Sequence, residues 1–359
     1  EKHMSFHAIV PAGGAGSRLW PLSRKNAPKF LADLTGAGRS LLQQAVDRLE
    51  ELTPQISVVT GAAHARAVAA QVPQASVIVE PSARGTMGAI GLAAAIIAER
   101  DPEAVVGSFA ADHLIRDDEA FRDAVRAAVE TAGHGYLVTI GIAPEAPSTA
   151  YGYIETGGRL GVARAVTAFV EKPDEQTAAE YLATGRYLWN AGMFVAKASI
   201  LMDVLERFHP EIAGPLRSLA AAWDGDGRQE AVEAYWEPLA PAVIDTAVAE
   251  PLAAIGGVAV VPADMGWSDI GDYASLAAVI PEEARAAQVV PGASPQPVVE
   301  VDSPGALVYA NRKPIVAVGI PGVVVVDTDD VLLVTTREES QRVKAAVDAL
   351  GTAGLADLA

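Results

Sequence analysis

The chain has 359 residues, enough for one large core with a smaller appendage. Half of its residues are apolar and 20% are charged, the balance of a globular protein, and its net charge of −18 argues against a general nucleic-acid binder, which needs a basic surface. No apolar run is long enough to cross a bilayer, no signal pattern opens the chain, and cysteine is absent, which excludes disulfides, thiolate metal ligands and a cysteine nucleophile. These features predict a cytoplasmic protein. Residues 1–5, beginning Glu1-Lys2-His3-Met4, read as a cloning remnant and N-terminus.

His7-Ala8-Ile9-Val10 predicts a buried strand that enters Pro11-Ala12-Gly13-Gly14-Ala15-Gly16. Leu41, Leu42, Ala45, Val46 and Leu49 then recur at helical spacing. Further strands are predicted at 56–60, 76–79, 104–109 and 136–142, with helices at 62–71, 86–100 and 118–132 between them. This alternation predicts an α/β fold with a mostly parallel, Rossmann-like sheet and helices on both faces. Ligands of such sheets bind outside the carboxyl ends of the strands. Residues 150–280 keep apolar runs at 166–170, 192–196 and 258–262 and helical stretches at 199–208 and 229–236, so they extend the sheet as a substrate-binding half. One domain is therefore expected over 6–280. Residues 281–304 carry Pro281, Pro291, Pro295, Pro297 and Pro304 and read as a linker. A small β-rich domain is expected over 305–359, with turns at Pro321-Gly322 and 327–330 and a last amphipathic helix over 338–350 that stops at Gly351.

The glycine-rich loop after the first strand lets the backbone approach a polyphosphate with free N–H groups. A Walker loop would need a Gly-Lys-Ser/Thr that is missing, and a dinucleotide loop would need a third glycine where Leu19 stands, which disfavours a nicotinamide dehydrogenase. A plain tight turn is the other alternative. In this acidic chain, Arg18, Arg24, Lys25 and Lys29 fall within twelve residues of one another beside the loop.

The continuous text Gly13-Gly14-Ala15-Gly16-Ser17-Arg18-Leu19-Trp20-Pro21-Leu22-Ser23-Arg24, followed by Pro28-Lys29-Phe30-Leu31, resembles the mannose-1-phosphate guanylyltransferases (GDP-mannose pyrophosphorylases) of the sugar-1-phosphate nucleotidylyltransferase family. Later landmarks keep the family's order to about residue 273: Glu80-Pro81 with Arg84 and Thr86, Ala111-Asp112-His113, Tyr151-Gly152-Tyr153-Ile154, Phe169-Val170-Glu171-Lys172-Pro173, Trp189-Asn190-Ala191-Gly192 and Gly266-Trp267-Ser268-Asp269. The chain departs from the pattern at Gly85, usually Asn, at Met87-Gly88, often Ala-Pro, and at Ala110, usually Pro.

The resemblance implies a nucleotidyltransferase catalytic domain over 6–280 and a β-helix-like C-terminal domain used in packing and in a homodimer. It implies transfer of GMP from GTP to α-D-mannose 1-phosphate, giving GDP-mannose and pyrophosphate, with magnesium and with no nucleic-acid or membrane partner. Both reactants are polyanions, and like unit charges about 4 Å apart cost roughly 4 kcal/mol at an effective dielectric near 20. Cations and a metal are therefore what the chemistry needs, and a phosphate nucleophile needs no strong base. Arg18 and Lys29 are expected to neutralise phosphate, and Asp112 and Asp269 to be catalytic carboxylates that share Mg2+. Taken alone, either aspartate could be a turn or helix cap. The nucleotide is expected on Ala12, Gly13, Gly14, Gly16 and Ser17, with Glu80, Arg84 and Thr86. The sugar phosphate is expected on Gly152, Glu171, Lys172 and Asn190. His113 reads as a packed neighbour of Asp112. Alternatives are another hexose-1-phosphate nucleotidylyltransferase using dTTP, UTP or ATP, and a non-catalytic sugar-nucleotide-binding subunit, which should have lost a phosphate or metal residue. Too few residues follow 280 for the isomerase domain of bifunctional relatives, so a single activity is expected.

Overall fold

The computed structural model describes residues 4–288, 294 and 296–359. The first three residues of the expected N-terminal remnant, and Pro291 and Pro295 of the expected linker, lie outside the described residues.

Strands β1 (Phe6–Ala12), β2 (Ile56–Gly61), β3 (Ser76–Glu80), β4 (Val105–Ser108) and β5 (Leu137–Ile142) alternate with helices α1 (Leu41–Glu50), α2 (Ala62–Gln71), α3 (Gly85–Arg100) and α4 (Asp118–Ala132). Then come β6 (Tyr153–Leu160), β7 (Ala163–Val170), α5 (Glu175–Thr184), β8 (Tyr187–Lys197), α6 (Ala198–Phe208), α7 (Pro210–Ala222), α8 (Arg228–Ala231), α9 (Glu250–Ala253) and β9 (Val258–Pro262). The nine strands form one sheet in the order β3-β2-β1-β4-β8-β5-β9-β7-β6. The β3-β2-β1-β4 half is parallel throughout, as expected. Beyond it the sheet is mixed: β8 runs antiparallel to β4 and to β5, and β6 pairs antiparallel with β7. For β6 and β7 the physical reason is connection length, since they are joined by a tight turn at Gly161-Val162, and a parallel pair needs a long crossover.

Ala8, Ile9 and Val10 are all fully buried although successive side chains point to opposite faces, so β1 is covered on both sides. On one face, Ile9 joins a cluster with α3, α6 and α7. Helix α3 is buried without a break from Met87 to Ile97, so it is apolar all round and carries no amphipathic stripe. Gly91 lets α7 approach, because a Cβ there would lie 2.6 Å from Leu216 Cδ1. The helix expected at 229–236 is instead α8 followed by a π-helical turn, Val232–Trp236, and a second π-helical turn spans Asp245–Ala249. Helices α5 and α7 were not predicted; α7 contains Pro215, a residue that disguises a helix in sequence.

Downstream lie α10 (Tyr273–Val279), β10 (Val298–Val301), β11 (Leu307–Tyr309), β12 (Ile315–Val318), β13 (Val323–Asp327), β14 (Leu332–Thr336) and α11 (Val343–Thr352). β10 pairs in parallel with β12, and β11 with β13, as in a β-helix. The last helix does not stop at Gly351: it runs to Thr352, and the left-handed residue that follows is Gly354.

Compactness groups the chain differently from the linear division expected at 280 and 305. One unit takes residues up to 13, 45–111 and 115–267 and contains the nine-stranded sheet; the other takes 14–44, 112–114 and 268–359. In the second unit Leu19, Trp20, Ile270 and Tyr273 share one core with Leu307, Tyr309, Val324 and Val343. The segment following the glycine loop is thus packed on C-terminal strands, not left as a free flap. Among the described residues no helix is long and apolar enough to cross a membrane.

Candidate active site

In the second unit the glycine loop turns at Gly14 (φ 82°) and Gly16 (φ 65°), left-handed conformations that favour glycine. Gly16 is also tightly packed, since a Cβ there would lie 3.0 Å from Lys29 Cβ. Among the described residues, the amides of residues 14–18 donate to no protein group. A loop with free amides suits an anion. A 3-10 turn, Ser17–Leu19, follows and presents Arg18 to solvent, without an ion-pair partner among the described residues. That turn is anchored from behind: the buried Tyr273 hydroxyl donates to Leu19 O at 2.8 Å and Trp20 O at 3.0 Å. Arg24 is committed elsewhere, in a two-point pair with Asp330, so it belongs to the scaffold.

Lys29 is buried, with only 5% of its surface accessible. Its Nζ lies 3.2 Å from Asp112 Oδ2 and donates to the carbonyl oxygen of Asp269. The two aspartate loops are themselves tied, because Leu114 and Ser268 exchange both backbone hydrogen bonds, at 2.8 and 3.0 Å. Burial pushes the Asp112 carboxyl up, but the Lys29 charge, His113 and hydrogen bonds outweigh it and hold the group below its ordinary value. The side chain still keeps 32% of its surface accessible, so it is charged and reachable. Asp269 is not the helix cap that its sequence allowed; Asp272 caps α10, accepting from Ser275 N at 2.8 Å. Next to Asp269, Ile270 sits at φ 42°, a costly conformation for a β-branched residue and one that clusters at functional sites. His113 Nε2 stands 3.9 Å from Asp112 Oδ1, a packed neighbour. No group of three or more His, Cys, Asp or Glu side chains arranged for a metal exists among the described residues. Mg2+ takes few protein carboxylates and fills its shell with phosphate and water oxygens, so Asp112 and Asp269 are the candidates that would hold it.

In the first unit, the carboxyl ends of β1, β2 and β3 place Ala12, Thr60 and Glu80 on neighbouring strands, with Ala12 opposite Thr60 and Gly61 opposite Glu80. Thr60 Oγ1 and Glu80 Oε2 are buried with no hydrogen-bond partner among the described residues, and burial raises the Glu80 carboxyl. Unsatisfied buried polar atoms cost about 1–3 kcal/mol each. Arg84 and Thr86 are differently occupied. Arg84 donates to the carbonyls of Trp236 and Glu237, and Thr86 Oγ1 accepts from Ile244 N at 3.1 Å. Both pin α3 to the 236–244 segment. Gly85, at φ 74°, explains one departure from the family pattern: a Cβ would lie 2.2 Å from the Ala242 carbonyl oxygen. Gly85→Asn, which restores the usual residue, is therefore expected to destabilise the protein by at least about 2 kcal/mol, read as a lower urea midpoint.

The same unit holds the sugar-phosphate candidates. Asn190 is buried; its backbone N–H donates to Gly152 O at 2.8 Å. Gly152 leaves room for Glu171, whose Oε2 would lie 2.7 Å from a Cβ placed there. Lys172 Nζ is 3.8 Å from Glu171 Oε1, and Lys172 itself sits at φ 45°. Burial first, then the charges of Asp245 and Glu250 against that of Lys172, raise the Glu171 carboxyl to about 7. Tyr151 packs between Trp189 and Trp267, at 4.9 and 5.2 Å between ring centroids, and the Trp189 indole N–H is buried without an acceptor among the described residues. Two residues here escaped the sequence reading. Asp245 Oδ1 accepts from Asn190 Nδ2 at 2.9 Å, and Glu250 Oε1 accepts from Glu171 N at 2.9 Å. They are five apart, a spacing that faces one way only where an α-helical turn widens to a π turn, as it does over Asp245–Ala249. The one available signal was an acidic pair set in the apolar stretch 243–253.

Residues 7–285 match the nucleotidyl transferase family, and residues 296–350 match the MannoseP isomerase/GMP-like beta-helix domain. The chain is 38% identical over 357 residues to the xanthan biosynthesis protein XanB of Xanthomonas campestris, covering 96% of this chain and 73% of that protein. It is 37% identical over 367 residues to a mannose-1-phosphate guanylyltransferase of Escherichia coli K12, covering 97% and 74%. Among solved structures, a Thermus thermophilus protein designated mannose-1-phosphate geranyltransferase superposes with a TM-score of 0.86 at 30% identity, covering 97% of this chain and all of that one. The chain is a sugar-1-phosphate nucleotidylyltransferase, and it belongs to the nucleotidyl transferase family in its mannose-1-phosphate guanylyltransferase branch.

Proposed function

We propose that the chain transfers GMP from GTP to α-D-mannose 1-phosphate with Mg2+, giving GDP-mannose and pyrophosphate. A phosphate oxygen of the sugar phosphate attacks the α-phosphorus, and the bond from that phosphorus to the bridging oxygen breaks, its electron pair leaving with pyrophosphate. The observation that carries this reading is the buried Lys29 held between the Asp112 carboxylate and the Asp269 backbone carbonyl in the unit that also holds residues 14–18 of the glycine loop. Free loop amides and Arg18 receive the departing phosphates, and Lys29 offsets charge at the α-phosphate. When bound, Mg2+ would be held by Asp112 and Asp269 and would draw negative charge from the phosphate oxygens. Ala12, Gly13 and Glu80 serve the nucleoside end, where the unsatisfied Glu80 oxygen is a natural acceptor for base or ribose donors. Gly152, Glu171, Lys172 and Asn190 hold the sugar phosphate. The cytoplasm, where nucleoside triphosphates are at hand, is the proposed setting, with a homodimer as the working assembly.

Pyrophosphate release with Mg2+ and mannose 1-phosphate, compared across GTP, ATP, UTP and dTTP, tests the reading. GTP should be preferred. Preference for another nucleotide would keep the transferase and discard the base. Silence with all four, repeated with glucose 1-phosphate, would favour a non-catalytic subunit.

A further inference from the structure

Asn190 is almost saturated by the protein. Its Oδ1 accepts from the Thr139 hydroxyl at 2.9 Å and from Gly192 N at 3.0 Å, while its Nδ2 donates to Asp245 at 2.9 Å. An amide has one oxygen and two N–H donors, so a single N–H remains unspent. The orientation is set by its neighbours: the Gly192 amide can only donate and the Asp245 carboxylate can only accept, so a flipped amide would face a donor with a donor. Glu250, directly after the same π turn, holds the Glu171 backbone at 2.9 Å. One short segment therefore grips both groups assigned to the sugar.

We propose, resting on the sugar-phosphate reading of this subsite, that Asp245 is a positioning residue for the hexose. It locks Asn190 so that one N–H donor stands with the Glu171 carboxylate acceptor. That pattern takes two sugar hydroxyls, one accepting and one donating. Asp245 also acts through charge. The charged groups facing Glu171 are Lys172 from its own loop, Asp245 from the π turn and Glu250 from α9. Lys172 lowers the Glu171 midpoint and the two acids raise it, so removing the charge at 245 lets Glu171 ionise at lower pH.

The test is steady-state kinetics of the full-length Asp245→Asn variant, which keeps shape but loses charge and replaces the carboxylate that Asn190 Nδ2 meets with a weaker amide acceptor. The KM for mannose 1-phosphate should rise about tenfold, with kcat within about threefold and the KM for nucleotide unchanged. The pH at which 1/KM for the sugar phosphate reaches half its plateau should also move down, whereas the phosphate's own ionisation is common to both proteins and cancels. An unchanged sugar-phosphate KM and pH midpoint overturns the proposal, as does an equal rise in both KM values, the mark of general disturbance. Should Asp245→Asn not fold, Asp245→Ser keeps an acceptor for Asn190 without the charge and is held to the downward pH shift alone. A wild-type protein inactive with every sugar phosphate would sink the function itself, an outcome distinct from a failed variant.

Discussion

Asp112→Asn is expected to lower kcat about a thousandfold or more. The substitution keeps the shape of the side chain and removes the charge proposed to hold the metal. It also turns an amide toward Lys29 Nζ, which now stands 3.2 Å from a carboxylate oxygen. Because the folded-state pKa of Asp112 is depressed, its ion pair stabilises the protein above the ordinary carboxylate range and loses that contribution as pH falls through the lowered value. At neutral pH the variant should therefore melt only modestly earlier, since the carboxylate is part-exposed, while turnover collapses. Pyrophosphate release across a magnesium titration, beside a thermal melt, checks both halves. Retention of more than about a tenth of the activity would remove Asp112 from the metal assignment.

Lys29→Met should be nearly as damaging to turnover, about a hundredfold or more, and worse for stability. The ammonium is buried and satisfies both Asp112 and the Asp269 carbonyl, so its loss leaves a carboxylate and a peptide oxygen without their partner. About 1–3 kcal/mol is expected, below the value for a fully buried pair because water reaches Asp112. Lys29→Arg should not rescue. The lysine stem lies against Gly16, where even a methyl group would meet Lys29 Cβ at 3.0 Å, leaving little room for a broader head. Urea unfolding and initial rates of the two variants separate stability from chemistry, and a fully active Lys29→Met protein would refute the role.

The strand-and-helix alternation up to β5 was legible because each buried strand is a continuous apolar run and each connection is a helix of ordinary length. The antiparallel half was less so, because β6 carries polar residues at Glu155 and Thr156 and its direction depends on a two-residue turn. At the site, sequence motifs named Lys29 but could not show it buried, since a lysine four residues from Lys25 looks like part of a solvated basic stripe. Arg84 and Thr86 stood in a motif, yet their side chains are also bonded to the 236–244 backbone, which only the folded chain reveals. Asp245 and Glu250 were invisible for a different reason: pattern reading assumes a repeat of 3.6 residues, and a π turn breaks it.

The candidates for handling the hexose, from Thr139 to Glu250, fall in one uninterrupted stretch of the first unit, while Arg18, Lys29, Asp112 and Asp269 all fall in the second. Inheritance can act on the two sets separately. Should the proposed roles stand, substitutions within 139–250 would alter sugar choice at positions that carry none of the groups proposed to meet the nucleotide's phosphates, so the two properties can change one residue at a time and separately.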